Sequence, residues 1–298
     1  MGSVETAVIP VAGFGTRLLP VTQLVAKEYL PLGSKPAIQY IVEELAGAGI
    51  KRIVLVTSER KRTIEQLFNP DPALLAQLSN RSEILDRLWS PEDYPDLEIS
   101  TVTQHEQLGL GHAIWCAREA VGDVPFAVAL GDCPIGVGGR SGIMNRMVEQ
   151  FDSCSADSKI VISFEEVPKE YVHRYGIAEP ECIGEVFRIN NLVEKPDPED
   201  APSNLAICGR YIFPGSIFDR LGNTSPDHVG EIQLTDAIKC MIGEGVLAFG
   251  VKLAAEDRRH DVGDFGSYVQ SFVEFALADQ ELRKFVEQAL EQEKKLKQ

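Results

Sequence analysis

Short apolar runs rich in β-branched residues alternate along this chain with longer stretches of helical period. TAVIPVA (6–12), RIVLVT (52–57), LEISTVT (97–103), PFAVAL (125–130) and KIVISFEE (159–166) read as strands with the rhythm of a parallel sheet. Between the first two, residues 36–49 read as a helix: Ile38, Ile41, Val42 and Leu45 share one face, Pro36 suits the first turn, and Gly47 and Gly49 end it. Residues 111–121 behave alike, with Ala113, Ile114, Ala117 and Val121 at helical spacing. Repeated strand, crossover, strand units with right-handed connections predict an α/β fold, one sheet with helices on both faces.

Residues 69–96 interrupt this rhythm, with Pro70, Pro72, Pro91 and Pro95 bracketing a run of helix formers, and are expected to form a helical surface insertion. Beyond about residue 166 the pattern is mixed. GEVFRINNLVEKP (184–196), SNLAICGRYIF (203–213) and VLAFGVK (246–252) read as strands, and VGEIQLTDAIKCMIGEG (229–245) as a helix. This half is expected to extend the same sheet and to wall a cleft. Over 265–295, the apolar positions Tyr268, Val269, Phe272, Val273, Ala276, Phe285 and Leu290 fit helices that pack back on the domain or pair with another subunit.

Composition narrows the partners. The 298 residues carry 29 basic against 45 acidic side chains, a net charge of −16, which repels nucleic acid and anionic membrane. The two basic clusters, Arg60 to Arg62 and Lys294, Lys295 and Lys297, read as solvated helix ends. No run reaches the ~18 apolar residues of a membrane span, and MGSVETAVIP is not a basic leader followed by an apolar stretch. Cys116, Cys133, Cys154, Cys182, Cys208 and Cys240 are scattered without a C-x-x-C pair and read as buried free thiols, so a cytoplasmic location is expected.

The chemistry concentrates where apolar runs end, because ligands of open α/β sheets lie beyond the carboxyl ends of strands. Gly13-Phe14-Gly15 follows the first run, yet the third glycine of a dinucleotide loop is replaced by Leu18. Thr16-Arg17 and then Lys27-Glu28 follow instead, so backbone N–H groups and two separated cations suggest a grip on a polyphosphate. Gln104 with Gly109 and Gly111 follows the third run, Asp132 the fourth; Glu194-Lys195-Pro196 and His260-Asp261-Val262-Gly263-Asp264 lie in the second half. Extended chain before Pro196 is expected to turn Glu194 and Lys195 to different sides. Asp132 and Asp261, from different strand ends, suit a hard divalent cation that takes its other ligands from phosphate and water. The five histidines carry no base-like context. Transfer to an ionised phosphate needs none; it needs positioning, cations and a metal.

In this order, VIPVAGFGTRLLP, AKEYLPLGSKPAIQYIVEELAGAGI, QHEQLGLGHA, LGD, RYGI, VEKP, GRYIF, GEIQLTDAI and HDVGDFGSY resemble the sugar-nucleotide pyrophosphorylases, and most nearly the bacterial-type UTP:glucose-1-phosphate uridylyltransferases (UDP-glucose pyrophosphorylases). The resemblance covers nearly the whole chain. It implies a Rossmann-like nucleotidyltransferase fold, a mainly parallel mixed sheet flanked by helices, with a sugar-binding extension and C-terminal helices. It divides the chain into a nucleotidyltransferase domain over 1–264, with a nucleotide-binding half of about 1–166 and a sugar-binding half of about 167–264, and a C-terminal helical segment over 265–298.

By position it implies that Ala12, Gly13, Gly15 and Thr16 lie against the nucleotide, that Arg17 and Lys27 meet its phosphates, and that Gln104 and Gly109 read the pyrimidine. It places Mg2+ on Asp132 and Asp261, the sugar on Gly176 and Glu194, and the sugar phosphate on Lys195, with Arg17, Lys27 and Lys195 as the catalytic cations. The implied reaction joins UTP and glucose 1-phosphate into UDP-glucose and pyrophosphate by in-line attack on the α-phosphorus, in a homo-oligomer. The alternatives are a dTTP-using thymidylyltransferase and a catalytically silent sugar-nucleotide-binding homologue. The chain departs from its relatives at Leu108 and Phe265, where lysine is common, and at Cys133-Pro134, where an acidic residue often follows the aspartate.

Overall fold

In a computed structural model of the chain, which describes residues 3–78, 80–85, 88–139, 141–156 and 158–296, the apolar runs become strands. The side chains of Arg60 and Arg62, and all of Lys297, lie outside what is described. Strand β1 (Thr6–Pro10) buries Ala7 and Ile9 on one face and Val8 on the other, so it fits only in a sheet covered on both sides. A hairpin of β2 (Pro31–Leu32) and β3 (Lys35–Pro36) leads into helix α1 (Ala37–Gly47), whose Ile38, Ile41, Val42 and Leu45 are all buried, as their spacing predicts.

Then follow β4 (Arg52–Thr57), the insertion helices α2 (Pro72–Leu78) and α3 (Ser82–Leu85), β5 (Glu98–Thr103), α4 (Gly109–Cys116), α5 (Arg118–Val121), β6 (Phe126–Ala129), α6 (Ile143–Ser153) and β7 (Lys159–Glu166). The second half contributes β8 (Gly176–Pro180), β9 (Val186–Glu194), β10 (Leu205–Phe213), α7 (Ile217–Asn223), α8 (Leu234–Gly243), β11 (Leu247–Lys252), α9 (Phe265–Ala278) and α10 (Gln280–Leu296).

Nine strands form one mixed sheet in the order β5-β4-β1-β6-β10-β7-β11-β9-β8. The first four run parallel. β10 then enters antiparallel between β6 and β7, β11 lies parallel to β7, and β9 and β8 close the far edge antiparallel. Helices α4, α7 and α8 cover the face carrying Val8, Val54 and Val128, and α1 and α6 cover the face carrying Ile9, Leu55 and Ala129.

Three expectations need correction. The helix read over 229–245 begins only at Leu234, because the Ile232 N–H donates to the Leu108 carbonyl (2.8 Å) and its own carbonyl accepts from Gly111 N–H (2.9 Å). Backbone groups so committed cannot also serve a helical turn. The helix over 111–121 is two, divided at Ala117. The cysteines are all free, but only Cys133 and Cys208 are buried; Cys182 and Cys240 are exposed. Among the described residues no helix is long and apolar enough to cross a membrane.

A capping box starts α9: Asp264 accepts from Ser267 N–H at 3.0 Å, and the Ser267 hydroxyl accepts from Asp264 N–H at 3.3 Å. Phe275 of α9 packs edge-on to Tyr40 at 4.9 Å, tying the C-terminal segment to α1.

The two halves are joined through Arg210. It stands on β10, fully buried, and its guanidinium reaches α1 in a two-point bond to Glu44, Nε to Oε1 at 3.0 Å and Nη2 to Oε2 at 2.9 Å. Removing one partner of such a pair leaves a buried charge without compensation, whereas replacing both with apolar residues is often neutral. Glu44→Ala is therefore expected to lower unfolding free energy by about 3–5 kcal/mol, and Glu44→Leu with Arg210→Met to recover most of it. Denaturant unfolding of the three proteins checks this; equal losses in the single and double variants would contradict it.

Candidate functional site

Leu18, in place of a third glycine, is fully buried, so the loop after β1 closes on an apolar anchor rather than packing a helix tightly against its strand. Beyond the strand ends lies a cavity of about 530 Å³, lined by Ala12, Gly13, Gly15, Thr16, Lys27, Gln104, Gly109 and Asp132 among others. The structure thus brings together the predicted nucleotide residues from three strand ends. Gly109 has φ +89°, and a Cβ there would lie 2.9 Å from that of Glu231, so only glycine lets the 104–111 segment approach Ile232.

Gln104 is oriented by two neighbours. Its Nε2 donates to the Gly109 carbonyl at 3.3 Å and lies 2.9 Å from His112 Nδ1. A carbonyl only accepts, so the amide nitrogen faces Gly109, with His112 Nδ1 within hydrogen-bond reach of the same nitrogen. Sequence reasoning passed over His112; its place one turn into α4, beside the strand-end Gln104, was the available signal.

Lys27 and Asp132 form an ion pair at the cavity floor. Burial opposes the charge of Lys27, but Asp132, Glu28 and Asp261 outweigh it and raise its pKa. Burial likewise works against ionised Asp132, and Lys27 holds its carboxyl below the usual range. Asp261 moves the other way, pushed up first by burial and then by the charge of Asp132. The two aspartates sit on joined segments, since Val262 N–H donates to the Asp132 carbonyl at 3.0 Å. Among the described residues no three carboxylate, thiol or imidazole groups gather to hold a metal. Two neighbouring carboxylates without sulfur or imidazole do fit a hard ion that shares its coordination with phosphate oxygens.

Lys61, expected at a solvated helix end, is buried instead. Its ammonium lies 2.8 Å from Glu28 Oε2 and donates to the Val11 carbonyl at 2.8 Å. Glu28 is 1% exposed. The pattern of three consecutive basic residues offered no sign that the middle one turns inward.

A second cavity, of about 640 Å³, is lined by Arg17, Arg174, Tyr175, Lys195, Arg259 and Asp261 among others. Arg17 and Lys27, paired by sequence reasoning, therefore face different cavities. Gly176 and Glu194 line neither, but stand opposite each other in the β8–β9 ladder, next to Lys195. A Cβ on Gly176 would lie 3.2 Å from Glu194 Oε2, which accepts from the Thr235 hydroxyl at 2.7 Å.

The chain at Lys195 is not extended. Its φ of +46° makes it the one non-glycine with positive φ among the described residues, and the kink leaves its ammonium 3.4 Å from Glu194 Oε1 rather than turned away from it. Arg259, also missed, is held by Glu165 at 2.7 Å and over the Tyr175 ring at 4.2 Å; it adjoins Asp261 through His260. Cations from several strand ends thus line two neighbouring cavities, an arrangement suited to bringing two phosphate-bearing molecules together.

The comparisons agree with this geometry. The sequence pattern of the nucleotidyl transferase family matches residues 6–277. A UTP–glucose-1-phosphate uridylyltransferase of Bacillus subtilis is 42% identical over 286 residues, covering 95% of this chain and 94% of that protein. A UTP-bound UGPase from Acinetobacter baumannii superposes with a TM-score of 0.84 at 33% identity, covering 96% of this chain and 98% of its own. A UDP-glucose pyrophosphorylase complexed with UDP-glucose gives a TM-score of 0.79 at 32% identity, over 93% of this chain and 100% of its own. The chain belongs to the nucleotidyl transferase family and, within it, to the UTP–glucose-1-phosphate uridylyltransferases.

Proposed function

We propose that this chain makes UDP-glucose and pyrophosphate from UTP and glucose 1-phosphate. The observation that carries the reading is the meeting of two cavities at Asp132 and Asp261, with Lys27 on one side and Arg17 and Lys195 on the other. UTP occupies the first cavity, its base against Gln104 and Gly109 and its phosphates along the N–H groups of Ala12 to Thr16, with Lys27 beside them and Arg17 approaching them from the second cavity. Glucose 1-phosphate enters from the second, its sugar toward Gly176 and Glu194 and its phosphate toward Lys195.

An oxygen of the sugar phosphate attacks the α-phosphorus, and pyrophosphate departs in line. The attacking oxygen is already ionised, so no side chain has to take a proton; the work is alignment and the offsetting of negative charge by Arg17, Lys27 and Lys195. Asp132 and Asp261 would hold Mg2+, which when bound supplies further neutralisation of the phosphates. Release of pyrophosphate from UTP and glucose 1-phosphate, compared with dTTP, tests the reading directly.

We further assign residues 1–166 to nucleotide binding, 167–264 to the sugar and 265–298 to a helical appendage; the continuity of one sheet across the first two supports treating them as halves of a single domain. A cytoplasmic setting is supported by six free thiols. Assembly into a homo-oligomer is supported by α9 and α10, whose Val269, Phe285 and Leu290 are more than half exposed.

Asp132→Asn and Asp261→Asn are each expected to lower kcat by about 10²–10³ or more while cooperative unfolding persists. Pyrophosphate release and thermal melts check both; undiminished turnover in the two variants would place the cation elsewhere. Glu194→Gln is expected to narrow the kcat/KM gap between glucose 1-phosphate and galactose 1-phosphate, because a carboxylate fixed by Thr235 penalises a displaced hydroxyl. An unchanged ratio with weakened UTP affinity would take Glu194 away from the sugar. Light scattering should give a mass above that of one chain, reduced by Phe285→Glu; a monomer at micromolar concentration contradicts the assembly.

A further inference from the structure

Three segments meet at the ammonium of Lys61. One is its own, the short turn Glu59–Leu67 after β4, anchored where the Thr57 hydroxyl donates to the Lys61 carbonyl at 3.0 Å. The second is Val11, the last residue before the nucleotide loop, whose carbonyl accepts from Nζ at 2.8 Å. The third is the turn Lys27–Tyr29, whose Glu28 accepts from Nζ at 2.8 Å. Consecutive side chains of such a turn point about 120° apart, so holding Glu28 against Lys61 fixes the direction of its neighbour Lys27, which meets Asp132; Lys27, Glu28 and Asp132 all border the first cavity.

An ion pair at this depth is poor evidence for stability. Burial itself pushes the Glu28 carboxyl up, against the pull of Lys61 and Lys27. Apolar residues of the same volume commonly serve stability as well or better. They could not bond the Val11 carbonyl and Glu28 at once, nor fix two separate loops to the end of β4.

We infer that Lys61 and Glu28 form a positioning strut that holds the Ala12–Gly15 loop, through Val11, and Lys27 in register for the triphosphate. Lys61 lines neither of the two cavities, and Glu28 borders only the first. The inference rests on the assignment of UTP to the first cavity, and it predicts a defect specific to the nucleotide, since the second cavity is lined by neither residue.

The test compares the parent protein, Lys61→Met, and Lys61→Met with Glu28→Gln. The single variant leaves a carboxylate buried and unpaired and should melt at a lower temperature. The double variant carries no stranded charge and should melt near the parent, yet its KM for UTP should rise and its kcat fall, each about tenfold, with the KM for glucose 1-phosphate moving less than about twofold. Should the single variant fail to fold, the double variant still decides. A double variant with the parent's melting temperature, kcat and KM for UTP overturns the strut, as does an equal rise in both KM values. Calorimetry with UTP separates this inference from the reading beneath it: a parent that releases no pyrophosphate overturns the proposed reaction, while loss of UTP affinity confined to the variants supports the strut.

Discussion

β10 is buried at every one of its nine positions and hydrogen-bonded along both edges, and the placement of the site depends on that constraint. A strand so enclosed can neither slip register nor leave the sheet without exposing its whole apolar length. Entering antiparallel between β6 and β7, it joins the parallel strands β5, β4, β1 and β6 to the β7, β11, β9 and β8 side of the same sheet. Because β6 ends shortly before Asp132, and β7, β11 and β9 are reached through β10, the two cavities adjoin across one continuous sheet. Arg210, set within that strand, is tolerable only because Glu44 of α1 meets it with two hydrogen bonds. The pair also seats α1 on the sheet.

The same rule organises the charges nearer the chemistry. Lys61 is answered by Glu28, and Arg259 by Glu165, so each buried charge there has a partner of its own. Lys27 and Asp132 also meet, but at a cavity wall, where an arriving phosphate or cation can compete for either. A chain with a net charge of −16 thus presents cations to two polyanionic substrates through local pairing, not through bulk charge. Lys195 is the exception that points outward. It is 58% exposed and held in a left-handed kink, the kind of local strain that surrounding structure sustains at sites of function.

Much of the fold was legible because it rests on period and on glycine. The spacing of Ile38, Ile41, Val42 and Leu45 names the buried face of α1, and the β-branched runs name the strands, buried along β1, β4, β6 and most of β7 and only half-buried in the edge strand β5. That the candidates from Ala12 to Asp132 gather around one cavity was legible because strand ends converge in an α/β sheet wherever the strands are placed. The Lys195 kink was not, since the proline after it argues for extended chain and only the β8–β9 ladder and the approach of Glu194 override that preference. Nor was the loop at 229–233, whose helical pattern gives way once Ile232 is bonded to the 108–111 segment.

The chain by itself determined the five apolar strands of the first half, the buried face of α1 and which polar residues follow the strands, because these are properties of neighbours along the backbone. Tertiary structure alone decided that β10 runs antiparallel through the middle of the sheet, that Lys61 turns inward, and that His112 orients Gln104. Lys61 and Glu28 are 33 positions apart, and Arg210 and Glu44 are 166 apart. A buried charge takes its partner from whatever segment packing brings within hydrogen-bond reach, and no local period encodes that choice.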